Sequence, residues 1–362
     1  MPQGVEVPSR NNFDLLRFAF AATVFLYHAY VLSTAPQLAF LGALSAELAV
    51  KSFFVVSGFL VFMSFENSRS TREYCGKRIR RIYPAYATVV IGAGVLGALV
   101  TALPFTDYLS RGLARYLAAN LVFANFLAPN LPGVFAHNPM TEVNGALWTI
   151  KIEVMFYATV PALAWLAARF GHVAVLTGAY VFGFAWKFGF SALAEHTGSM
   201  IFVKLSYQFP GQLAYFVSGA LCYYYLPALQ PRWGTVAAVG ITGMLVARTF
   251  PATQVLIEPA ALALVIVFLA FGMRYLGNFA RFGDFSYGIY IIHFPVIQTL
   301  VVAGAFGANA FGGLAIAAAL VLALALLCWH WVEKPFLQRG SHYRVSNARQ
   351  TGPSRPGLWR RR

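Results

Sequence analysis

Apolar residues in this chain come in long runs separated by short polar punctuation. At 1.5 Å per residue, a helix of about 20 apolar residues crosses a hydrocarbon core roughly 30 Å thick. Ten stretches approach that length: 13–33, 46–65, 82–103, 145–168, 172–190, 206–226, 234–250, 255–273, 285–305 and 311–332. In lipid every backbone polar group must be paired within the protein, so the pattern predicts an all-α integral membrane protein with ten helices in one bundle. The alternating strands of an outer-membrane barrel are not part of the pattern. The stretch 112–130 is apolar but interrupted by Asn120, Asn125 and Pro129, which predicts an interfacial or re-entrant segment. If it crossed the membrane, the C-terminal tail would move to the other side.

Composition agrees. Of 362 residues, 59% are hydrophobic and only 11% charged, against about 25% charged in soluble domains. Mean hydropathy is +0.64. Ten spans place both termini on one side, and the 27 Lys and Arg residues say which. Arg10, the run 66–81, Arg169, Arg232, Arg274, Arg281 and the residues from Lys334 onward fall on the side of the termini. Arg111, Arg115, Lys187, Lys204 and Arg248 fall on the other, and Arg17, Lys51 and Lys151 lie within spans. The positive-inside rule then makes both termini cytoplasmic. The net charge of +15 reports topology, and a nucleic-acid partner is excluded for want of a soluble basic domain. The chain divides into a transmembrane domain, 1–338, and a basic tail, 339–362, expected to be disordered and cytoplasmic. The first apolar run carries Arg17 and His28 and lacks a small-x-small exit, so it reads as a retained span rather than a cleaved signal. Cys75, Cys222 and Cys328 are scattered, giving no disulfide framework and no metal site.

Ionisable residues inside spans mark functional sites. Arg17 and His28 are eleven residues apart, close to a whole number of helical turns, so they share a face roughly 16 Å apart along the axis. An obligate cation near one end and a titratable base further in suit an anionic ligand served from one side. Taken singly, Arg17 is a snorkelling side chain with Asp14 as a local partner, and His28 a structural histidine. The second span, KSFFVVSGFLVFMSF, holds Ser57-Gly58, which suits close helix packing, and Lys51, which suits snorkelling. The cluster KRIRRIYP, with Lys77, Arg78, Arg80 and Arg81 closed by Pro84, is both a topological signal and a set of forks for a polyphosphate such as coenzyme A. The fourth span contains Trp148 and Glu153. A carboxylate there needs a partner: a structural one such as Lys151, or His28, which it would orient. In the ninth span Tyr290 and His293 precede Pro295, near a kink that frees backbone groups. Glu333 and Lys334 in WHWVEKPF read as an interface anchor.

The R-x10-H pair, FFVVSGF, RRIYP, W-x4-E-x2-FY, SYGIYIIHFP and WHWVEKP occur in this order from about residue 12 to 336. Together they resemble the membrane-bound acyltransferase-3 family of bacteria. The resemblance implies a ten-helix inner-membrane enzyme, multi-pass, that moves an acyl group, typically acetyl, from cytoplasmic acyl-CoA to a hydroxyl of an extracytoplasmic or lipid-linked glycan such as O-antigen, capsule or exopolysaccharide. Arg17 and His28 match the family's functional pair, Arg78 and Arg81 its arginines after the second span, and Glu153 its fourth-span acid. Some members carry a fused hydrolase-type domain that completes transfer; here such a partner is expected to be separate or unnecessary.

The expected site therefore has His28, Arg17 and Glu153 as catalytic residues. Lys77, Arg78, Arg80 and Arg81 hold acetyl-CoA or another acyl-CoA, and Ser57, Trp148, Tyr290 and His293 line the cavity. No metal is expected. The rival reading is a transporter or flippase for a lipid-linked sugar, with the ionisable residues as a proton relay.

Overall fold

A computed structural model describes residues 5–337. The basic tail lies outside the described residues. A helix forms at each of the ten expected places. These are α1 (Phe13–Ser33), α2 (Ala46–Glu66), α3 (Thr71–Leu96), α4 (Trp148–Phe170) and α5 (His172–Thr197). The rest are α6 (Phe209–Tyr224), α7 (Trp233–Thr249), α8 (Pro251–Val267), α9 (Ser286–Val302) and α10 (Ala310–Cys328). No strand occurs among the described residues. Among the described residues, seven helical segments are long and apolar enough to cross a membrane: 13–33, 46–66, 71–99, 145–170, 172–197, 251–272 and 310–336. Helices α6, α7 and α9 are shorter, at 16, 17 and 17 residues.

The segment 112–130 contains the helix Ala114–Leu121 and a 3-10 turn, Asn125–Leu127. Gly112, at φ 146°, breaks the chain before them. The buried Asn120 donates to the Tyr116 and Ala128 carbonyls, so it folds the segment back instead of prolonging it.

One boundary differs from the hydropathy pattern in an instructive way. The third helix starts at Thr71, not near 82, because Ser70 caps it by accepting from the Glu73 amide and Glu73 accepts from the Arg69 amide. The basic cluster thus rides on the helix itself, and Pro84 lies inside α3 instead of closing it. Helix α9 also continues through its proline. Pro295 has no N–H for the Ile291 carbonyl, and the Asn144 side chain donates to that carbonyl at 2.8 Å in its place.

Helix α2 is the hub, packed on α1, α4, α6 and α8. Its crossing with α6 is set by two glycines. A Cβ at Gly58 would lie 1.8 Å from the Phe216 carbonyl oxygen, and one at Gly219 would lie 1.9 Å from that of Val55. The backbones therefore touch, as small residues allow in membrane helices. Lys51 does not snorkel. It is buried and pairs with Glu258 at 2.7 Å and Glu47 at 2.9 Å, and Tyr215 also donates to Glu258.

Candidate active site

One face of α2 lines a cavity of about 530 Å³. Val50, Phe53, Ser57, Leu60, Ser64 and Asn67 repeat at three and four residues, so the lining follows the helix for roughly 25 Å at 1.5 Å per residue. Arg17 of α1 completes the wall near one end, together with Lys77, Arg78, Arg80 and Arg81 of α3. Glu153 and Tyr157 of α4 stand midway, and Thr149 and Tyr290 close the far end.

The arginines at the mouth fall into two populations. Arg17 Nη1 and Arg81 Nη2 both donate to Asp284 Oδ2 at 2.5 Å, and Arg81 Nη1 donates to Glu333 Oε2 at 2.7 Å. Ser286 donates to Asp284 Oδ1 through its hydroxyl and its amide. Burial alone would push the Asp284 carboxyl up, but Arg17 and Arg81 outweigh it and hold the group down at about 2. Arg17 and Arg81 are therefore charge-compensated struts, and Arg81 is not the open phosphate fork expected of it. Glu333 is 1% exposed, so it is a buried counter-ion rather than an interface anchor.

Arg78 and Arg80 belong to the second population. Neither is in an ion pair among the described residues. Arg78 donates to Ser64 at 3.1 Å and lies over the Tyr157 ring, with its buried Nε unpartnered. Arg80 is exposed at the rim. Lys77 pairs with Glu73 at 2.9 Å.

Glu153 accepts from Ser57 at 3.5 Å and closely from Tyr157, while Lys151 donates to Gln208 at 2.7 Å. Glu153 thus meets neither Lys151 nor His28 in a hydrogen bond. His28 faces His293 instead. His293 Nε2 lies 2.8 Å from His28 Nδ1, and the two rings are nearly parallel, 11° apart, with centroids 5.1 Å apart. Neither histidine lines the cavity; they lie behind its closed end, where the Tyr290 ring is 6.0 Å from that of His293. Tyr290 and Thr149 share a hydrogen bond of 2.7 Å. Ser57 and Tyr290 line the cavity as expected, whereas Trp148 packs against the core at the start of α4.

Sequence reasoning missed Asp284. It stands in DFSYG, a lone acid entering an apolar helix, and that isolation was the available signal. Among the described residues no group of three or more His, Cys, Asp or Glu is placed to hold a metal ion.

A long cavity, basic at one end and ending beside a histidine pair, fits an elongated anionic ligand. Comparison with known proteins decides the class: residues 10–330 match the family described as an acyltransferase domain. This chain belongs to the acyltransferase-3 family. The O-acetyl transferase of Shigella phage Sf6 is 28% identical over 91% of this chain and 97% of its own length. Nodulation protein 10 of Rhizobium leguminosarum bv. viciae is 26% identical over 91% of this chain and 94% of its own. Acyltransferase MdmB of Streptomyces mycarofaciens is 26% identical over 70% and 68%. No solved structure matches the chain. As a member of the acyltransferase-3 family the protein is a membrane acyltransferase.

Proposed function

We propose that this acyltransferase moves an acetyl or other acyl group from cytoplasmic acyl-CoA to a hydroxyl of an extracytoplasmic or lipid-linked glycan. In this reading all ten helices span the inner membrane and both termini are cytoplasmic, which the distribution of Lys and Arg supports. The observation that carries the reading is the cavity, which runs from a basic mouth along α2 to the residues beside His28 and His293.

The donor's phosphates sit on Arg78 and Arg80, which have no carboxylate partner among the described residues. The pantetheine arm follows the α2 face, and Glu153 and Ser57 offer hydrogen bonds to its amides. The thioester reaches Thr149 and Tyr290, and His28 acts as general base on the acceptor hydroxyl or as a nucleophile toward the acyl carbon. The name O-acetyl transferase borne by the phage relative supports acetyl as the group and oxygen as the acceptor atom.

The test follows radiolabel from acetyl-CoA in membranes holding the wild type or His28→Ala, with host glycans present. Label should reach a glycan only with the wild type. Transfer by His28→Ala at the wild-type rate refutes the assignment, and translocation of a lipid-linked sugar that collapses with the proton gradient, with no label transferred from acetyl-CoA, restores the transporter reading.

A further inference from the structure

His293 is fully buried, and its two ring nitrogens face different partners. Nδ1 lies 3.1 Å from the Ile289 carbonyl oxygen. A carbonyl only accepts, so Nδ1 carries the hydrogen. An imidazolium here would be a buried cation with no carboxylate among its hydrogen-bond partners, so the ring is neutral and has one N–H. Nε2 is then bare and can only accept. The group facing it at 2.8 Å is Nδ1 of His28, which must donate. His28 is thereby fixed with its hydrogen on Nδ1 and a lone pair on Nε2.

We infer that His293 is a positioning residue: with the Ile289 carbonyl it locks His28 in the tautomer whose Nε2 is free for chemistry. This rests on the role given to His28 above. In the direct route the acceptor O–H proton passes to His28 Nε2 as the oxygen bonds to the thioester carbon. The C–S bond then breaks, and the departing thiolate takes the proton from Nε2. The transient imidazolium keeps its Nδ1–H on His293 Nε2, so the relay both selects the base and steadies its charged form. Free histidine in water prefers the opposite tautomer, so the buried relay works against the default.

The test uses full-length protein labelled with 15N-histidine in lipid, with the His28 signals assigned by their loss in His28→Ala. The relay predicts that wild-type His28 is protonated at Nδ1 and bare at Nε2. His293→Leu should lower kcat by about a hundredfold or more, in the range typical of a lost proton-transfer arrangement, with KM for acetyl-CoA almost unchanged. His293→Gln, whose amide oxygen can accept where Nε2 did, should restore kcat to within about tenfold of wild type. A wild-type His28 protonated at Nε2 overturns the inference, whatever the variants do. So does a His293→Leu enzyme with wild-type kcat. If His28→Ala itself retains full activity, the role of His28 falls first and the relay with it, so the two failures are distinguishable.

Discussion

Replacing Asp284 by Asn removes one negative charge from a buried cluster that is balanced in the wild type, with Arg17 and Arg81 against Asp284 and Glu333. Both guanidiniums touch the same oxygen at 2.5 Å. Two unit charges about 4 Å apart attract by about 4 kcal/mol at an effective dielectric constant of 20, and desolvation offsets part of each contact. Breaking a buried pair by removing one partner costs about 3–5 kcal/mol. We therefore expect Asp284→Asn to destabilise by about 3 kcal/mol, lowering the melting temperature in detergent by on the order of 5 °C.

The carboxylate also leaves a pH signature. Its folded value of about 2 lies below the ordinary 3.8, so its contribution is complete above pH 3.8 and is lost as pH falls toward 2. That difference corresponds to about 2 kcal/mol. Melting curves across this window should fall more steeply for wild type than for Asp284→Asn. Adding Arg81→Met to Asp284→Asn restores the charge balance, so the double variant should be more stable than the sum of the single losses by about 1 kcal/mol or more. An Asp284→Asn protein that melts with the wild type, or strict additivity in the cycle, would refute the account of Arg17 and Arg81 as compensated struts.

Two further outcomes can be read with standard assays. Arg78→Ala should raise KM for acyl-CoA by about tenfold or more while kcat changes little, since a hydrogen bond to a charged group contributes about 1.5–3 kcal/mol; steady-state kinetics at low ionic strength would show it, and an unchanged KM would remove Arg78 from the donor site. Gly58→Ala drives a methyl into the Phe216 carbonyl oxygen and must push α2 from α6. It should cost at least the 1–3 kcal/mol typical of overpacking, seen as a lower melting temperature and less folded protein in the membrane.

The positions of the helices were legible because hydropathy and length alone fix where a lipid-facing chain can be helical. The start of α3 was not, since its first turns are basic and are held by the Ser70–Glu73 cap rather than by apolar burial. Of the site, the common face of Arg17 and His28 could be read from helical spacing. Their partners could not. Asp284 is 267 residues from Arg17, His293 is 265 from His28, and Glu333 is 252 from Arg81. No local rule ranks one distant histidine or acid above another, so Glu153 was read as the orienter of His28, His293 as cavity lining, and Glu333 as a surface residue. Helix packing decides such pairs, and one sequence carries little trace of it.

The Arg81–Glu333 pair has a consequence for biosynthesis. Arg81 leaves the ribosome 252 residues ahead of the carboxylate that shares its charge. At roughly 5–20 residues per second, that is an interval of about ten seconds to under a minute. Through that interval the growing chain holds a basic helix end whose balancing acids do not yet exist, against a membrane whose anionic headgroups can serve in their place. The turn that carries Glu333 brings the last of those acids to Arg81, long after the helix that needs it has formed.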